Sequence, residues 1–148
     1  MERKEILSQI SKVLLDKKGE AEEYLNGLIE SRNNDTKSSA GDKYETGRSM
    51  VQQEIDRAEE RLSQLRFQLN ELDKIFKIDQ KDLCGFGSIV VFKDQMFLIG
   101  LPIGKIEIQD YIVFCLSLAS PLGQILRGKR ENDEVVLRGK PSRIKKLI

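Results

Sequence analysis

Residues 51–76, VQQEIDRAEERLSQLRFQLNELDKIF, decide the fold. Val51, Ile55, Ala58, Leu62, Leu65, Leu69, Leu72 and Phe76 succeed one another at spacings of 4-3-4-3-4-3-4. Apolar residues in that alternation fall on one stripe of a helix and make a heptad seam. Most positions between them are charged or amide-bearing, so the rest of the helix faces water. The stripe needs a partner. Residues 4–32 supply one, with Ile6, Ile10, Val13, Leu14, Ala21, Leu25, Leu28 and Ile29 recurring at helical spacing. Gly19 and Gly27 weaken that helix, each by about 1 kcal/mol relative to Ala. The polar run Asn33–Asp42 between the two segments is rich in turn formers and reads as a loop. A loop of this length permits an antiparallel coiled-coil hairpin over residues 1–80.

After Lys77 the texture changes. Gly85–Phe92 and Met96–Leu101 are rich in β-formers, and Lys93-Asp94 can turn between them. Lys105–Ile108 alternates as a short strand does, and Tyr111–Leu118 is apolar enough for a buried one. Ser120 followed by Pro121 opens a short helix as N-cap and first residue, and Gly128 can end it. Glu134–Arg138 and Ser142–Leu147 read as closing strands. The expected class is α+β: a hairpin over 1–80 and a small α+β domain over 81–148.

Composition narrows the function. The chain has 148 residues, 33% of them charged, 6% aromatic, with no Trp and a net charge of +1. The charge is unevenly placed: residues 1–80 hold 14 basic and 17 acidic side chains, residues 83–148 hold 10 and 6. The basic second half suits an acidic partner or a phosphate backbone. There is no histidine, which excludes Ser-His-Asp, Cys-His and His-ligated zinc chemistry. Gly85-Phe86-Gly87 lacks the further glycines and lysine of a phosphate loop. Cys84 and Cys115 match no metal or redox spacing and read as reduced core residues. The charged, amphipathic start MERKEILSQI has no secretory apolar block, and no stretch is long enough to span a bilayer. A cytoplasmic monomer is expected.

Gly41-Asp42-Lys43-Tyr44-Glu45 sets two carboxylates three residues apart where the hairpin should turn, about 40 Å from its base at the standard helical rise. Asp42 with Glu45 fits a helix N-cap and capping box. It also fits a probe that carries a metal-binding pair into another molecule's site. Mg²⁺ usually takes one or two carboxylates and keeps several waters, so two exposed acids would complete a shared site rather than hold the ion alone.

The order of parts and two motifs resemble the bacterial Gre family of transcript-cleavage factors. One motif is Gly41-Asp42-x-x-Glu45 ahead of the heptad helix. The other is Ser120-Pro121-Leu122-Gly123-x-x-Leu126-x-Gly128-Lys129, followed by Asp133-Glu134-Val135. The resemblance implies an FKBP-like C-terminal domain that docks on RNA polymerase through Ser120, Pro121, Leu122, Gly123 and Lys129. It implies a coiled coil in the secondary channel, where Asp42 and Glu45 help hold a Mg²⁺ shared with the polymerase near the 3′ end of backtracked RNA. The protein would assist an enzyme rather than be one. Lys37, Lys43 and Arg48 would offset repulsion from RNA phosphates. The chain departs from the family where Asp-Leu-x-Glu-Asn-Ala-Glu-Tyr becomes Asp42-Lys43-Tyr44-Glu45-Thr46-Gly47-Arg48-Ser49, and in a shortened last hairpin at Arg138–Ile144. These changes also suit a regulator that plugs the channel without cleavage. A peptidyl-prolyl isomerase is a competing class; it would need an aromatic-lined pocket built from Phe86, Phe92, Phe97, Tyr111 and Phe114.

Overall fold

The computed structural model describes residues 2–35, 42–79 and 82–148, with the side chains of 35 and 42–46 left aside. The protein is α+β. Two long helices come first, α1 (Arg3–Asp35) and α2 (Asp42–Phe76). Seven strands and one short helix follow: β1 (Ile89–Val91), β2 (Met96–Ile99), β3 (Gly104–Ile108), β4 (Tyr111–Leu116), α3 (Pro121–Leu126), β5 (Glu134–Leu137), β6 (Lys140–Arg143) and β7 (Lys146–Leu147). Among the described residues no helix is long and apolar enough to cross a membrane.

The chain divides into two compact units. One is Leu14–Leu69; the other joins Met1–Val13 to Asn70–Ile148. The ends of both long helices therefore belong to the same unit as the sheet.

In the Leu14–Leu69 unit the two helices pack together antiparallel. Tyr24 Oη donates to Glu54 Oε2 at 3.4 Å, and further along α1 Arg32 Nη1 donates to Gln52 Oε1 at 2.9 Å. Ile55, Ala58, Leu62 and Leu65 of the seam are buried, with Leu14 of α1. Val51, Leu69, Ala21, Leu25, Leu28 and Ile29 are half-buried, as expected where only two helices share a seam. The seam was expected to run to Phe76, but Phe76 is 36% exposed and Ile75 is fully buried. A straight helix at 3.6 residues per turn drifts off a 3.5-residue repeat. Once α2 passes Asn70 it belongs to the sheet-bearing unit, and burial follows that unit's core. The expected loop also shortens: Asn33, Asn34 and Asp35 are helical, and α2 starts at Asp42.

In the other unit, the five-stranded sheet has the order β3-β4-β2-β1-β7. β1–β2, β1–β7 and β3–β4 pair antiparallel, and β2–β4 pair parallel. Lys93-Asp94 turns the β1–β2 hairpin as expected, with Phe92 N donating to Gln95 O at 2.8 Å. One face carries Val90, Phe97 and Ile99, which cluster with Leu126 of α3 and with Val135 and Leu137 of the separate β5–β6 ribbon. Successive strand residues alternate faces. The opposite face therefore presents Ile89, Met96, Leu98, Ile106, Val113 and Cys115, all buried as well. In the same unit Ile6, Leu7, Ile10, Leu72 and Ile75 are buried on the helix ends. The single closing strand expected over Ser142–Leu147 is two: β6 pairs with β5, and after Ile144 the chain crosses to the sheet edge as β7.

Candidate functional site

Asp42 is the first residue of α2 and Glu45 lies in its first turn. Residues 36–41 join the two helices, and Lys37 among them is outside the described residues. So are the side chains of Asp42, Lys43 and Glu45. Arg48 is described and exposed on α2. Next along the hairpin is a polar chain that the sequence did not disclose. Arg32 donates to Gln52 Oε1, and Gln52 Nε2 donates to Asp56 Oδ1 at 3.0 Å. Gln52 follows Val51 in the seam, so its amide looked like solvated surface. Its fork lets it accept from one helix and donate along the other. Among the described residues no group of three or more Cys, Asp or Glu stands together as a metal-ligand set.

The Ser-Pro-Leu-Gly run builds a tight turn into α3. Ser120 Oγ accepts from Gly123 N at 3.0 Å and donates to Ser117 O at 2.7 Å. Pro121 is the first helical residue, where its missing N–H costs nothing. Gly123 is dictated by space: a Cβ there would collide with Ser117 O and lie 2.7 Å from Leu118 O. Gly128, at φ +78°, follows the helix, and its N–H donates to Cys84 O at 2.8 Å. Cys84 N in turn donates to Lys129 O at 2.8 Å, tying the end of α3 to the segment that enters the sheet.

Of the five docking candidates, Pro121 and Leu122 line a cleft of about 240 Å³ with Phe97, Ile125, Val136 and Arg138. Ile125 and Val136 are exposed at its rim. Ser120 and Gly123 serve the turn itself, and Lys129 is half-buried with its carbonyl engaged. No family model matches the chain, and no curated protein matches it.

The aromatic residues divide between the core and two clefts. Phe92, Phe97 and Phe114 pack against one another at the core, Phe92 edge-to-face on Phe97 with centroids 5.8 Å apart and Phe97 tilted on Phe114 at 5.6 Å. Phe92 also lines the cleft that Tyr111 edges, and Phe86 lines a different one. The two thiols are free and buried. Burial pushes Cys84 up to about 11, against a smaller opposing pull from its hydrogen bond with Ser88, and burial pushes Cys115 up to about 12. Neither thiol is a nucleophile at neutral pH.

Sequence reading also missed Arg3. Its guanidinium donates to Gly87 O at 2.5 Å, Ile75 O at 2.8 Å and Ile148 O at 3.3 Å. Burial lowers its pKa, a cost those carbonyls offset. The available signal was its spacing: Arg3 stands three residues before Ile6 and seven before Ile10, on the apolar stripe of α1.

Proposed function

We propose that this chain is a Gre-like elongation factor. It binds bacterial RNA polymerase, places its helical hairpin in the secondary channel, and stimulates the polymerase's own cleavage of backtracked RNA. The observation that carries this reading is the position of Asp42 and Glu45 in the first turn of α2, where an antiparallel hairpin changes direction. Two carboxylates are the hard oxygen donors Mg²⁺ prefers, and two are too few to retain it, which suits an ion shared with a partner. When bound, that Mg²⁺ supplies Lewis-acid stabilisation and an activated water for phosphodiester hydrolysis. Asp42 and Glu45 would hold it beside the polymerase's ligands, and Lys37, Lys43 and Arg48 would face the RNA 3′ end.

The sheet with α3 against one face supports an FKBP-like reading of the C-terminal domain. The cleft edged by Pro121 and Leu122 supplies an apolar surface for docking outside the channel. The protein on this reading is a cytoplasmic monomer and a cofactor to an enzyme.

The test is a backtracked elongation complex with 3′-labelled RNA. Wild-type protein should release short 3′ fragments. Asp42→Asn with Glu45→Gln should lower that release at least a hundredfold while polymerase binding persists. Unchanged cleavage by the double variant would end the catalytic assignment. Lys43 stands where the family carries an apolar residue, and Thr46–Ser49 replace its usual continuation. Those residues favour the second reading, a non-cleaving plug. It predicts slower synthesis on unarrested templates and no released fragment.

A further inference from the structure

Strand register gathers three distant segments at one end of the sheet. β2 and β4 run parallel with Met96 opposite Val113, so the start of β4 lies beside the start of β2. The Lys93-Asp94 turn precedes β2. β7 pairs antiparallel to β1 with Lys146 opposite Val91, which brings Lys145 and Lys146 to the same end. Together these segments line a cleft of about 470 Å³. Its lysines are Lys93, Lys145 and Lys146; its exposed apolar surface is Tyr111, 49% accessible, and Ile112 beside it.

We infer that this cleft binds a single-stranded nucleic acid segment, with phosphates on the three lysines and a base stacked on Tyr111. The lysines are available: among the described residues none of the three makes an ion pair, although Asp94 and Asp110 line the same cleft. From β4 across β2 and β1 to β7 the cleft spans three strand intervals, about 14 Å at the usual spacing. That is a track for successive phosphates with an aromatic platform at one end, the combination by which proteins hold single strands without reading sequence. An acidic polypeptide fits less well. Its carboxylate side chains offer no ring to lie on Tyr111, whereas Asp94 and Asp110 oppose either polyanion alike. The site is separate from the residues assigned to cleavage above, and its test needs no polymerase.

The probe is a short fluorescein-labelled oligouridylate, titrated with the full chain and followed by anisotropy between about 50 and about 200 mM salt. Wild-type protein should bind with an affinity that falls steeply with salt. Tyr111→Ala should weaken binding about tenfold and leave the salt slope unchanged, while Tyr111→Phe should keep wild-type affinity. Replacing Lys93, Lys145 and Lys146 together by Ala should reduce the slope by about 2, at roughly 0.7 per lost phosphate contact on a single strand. All four positions are exposed, so the variants should melt with the wild type. Absence of wild-type binding at the lowest salt would overturn the inference, as would indifference to Tyr111→Ala. Equal displacement by polyglutamate would reassign the cleft to an acidic polypeptide, and equal displacement by uridine monophosphate to a free nucleotide.

Discussion

Cys84 and Cys115 illustrate how burial alone sets residue chemistry. Their thiols are held at about 11 and about 12, against an ordinary value of 9.0. Between those limits the unfolded chain has lost protons that the folded chain keeps. Stability from both groups is therefore complete below pH 9 and falls as pH rises through 11 and 12. Urea midpoints measured across this range should decline, and Cys115→Ala should flatten the larger part of the decline. The sequence already marked both thiols as core. It marked Ser120 as a cap for the same reason, since capping is a contact within four residues. It did not reveal why position 123 must be glycine. The obstructing carbonyls belong to Ser117 and Leu118, and only the folded turn brings them there. The Ser-Pro-Leu-Gly motif therefore has a structural explanation for Ser120 and Gly123, independent of docking.

Among the elements, α2 was the most legible because its pattern repeats over many turns. Periodicity located the stripe and the need for a second helix. It misplaced the stripe's end, since the repeat yields Phe76 and the packed helix buries Ile75. Ile75→Ala should cost about 2–5 kcal/mol, as for a fully enclosed Ile. Phe76→Ala should cost clearly less, and a reversal in denaturant titration would restore the uninterrupted heptad. Gly19 and Gly27 lie inside α1, and a Cβ at either meets nothing within 4 Å. Each change to Ala should then stabilise the helix by about 1 kcal/mol, read as a higher urea midpoint. The strands were legible as apolar runs bounded by turns. Their pairing was not: splitting 142–147 between the ribbon and the sheet edge depends on which backbone groups lie opposite in space.

At the scale of the molecule, the chain closes on itself through Arg3. Its three carbonyl partners lie 72, 84 and 145 residues away in sequence. They join the start of α1, the end of α2, the approach to β1 and the last residue within one unit. Arg3→Met keeps the bulk and removes the donors: Gly87 O loses its Arg3 bond, while Ile75 O and Ile148 O keep only the backbone bonds from Ile78 N and Ile89 N. It should cost about 2 kcal/mol, seen as faster amide exchange at Ile89 and Ile148, the paired backbone next to the clamp. Arg3→Lys should recover only part of that, because an ammonium lacks the planar fork that reaches several acceptors at once. Unchanged exchange in Arg3→Met would show that apolar packing and the backbone pairing hold these segments together without the clamp.

Helical periodicity, the cap at Ser120, the strand-forming runs and the acidic pair at 42 and 45 are local properties, set by residues within a turn or two. The sequence by itself therefore determined the class of the fold, the helix partnership and the place of the candidate acids. Tertiary structure alone decided the strand order, the switch from Phe76 to Ile75, the Arg3 clamp and the gathering of Lys93, Tyr111, Lys145 and Lys146 at one sheet end. Each of these depends on atoms far apart along the chain, and no local pattern encodes which distant carbonyl, side chain or strand will arrive beside them.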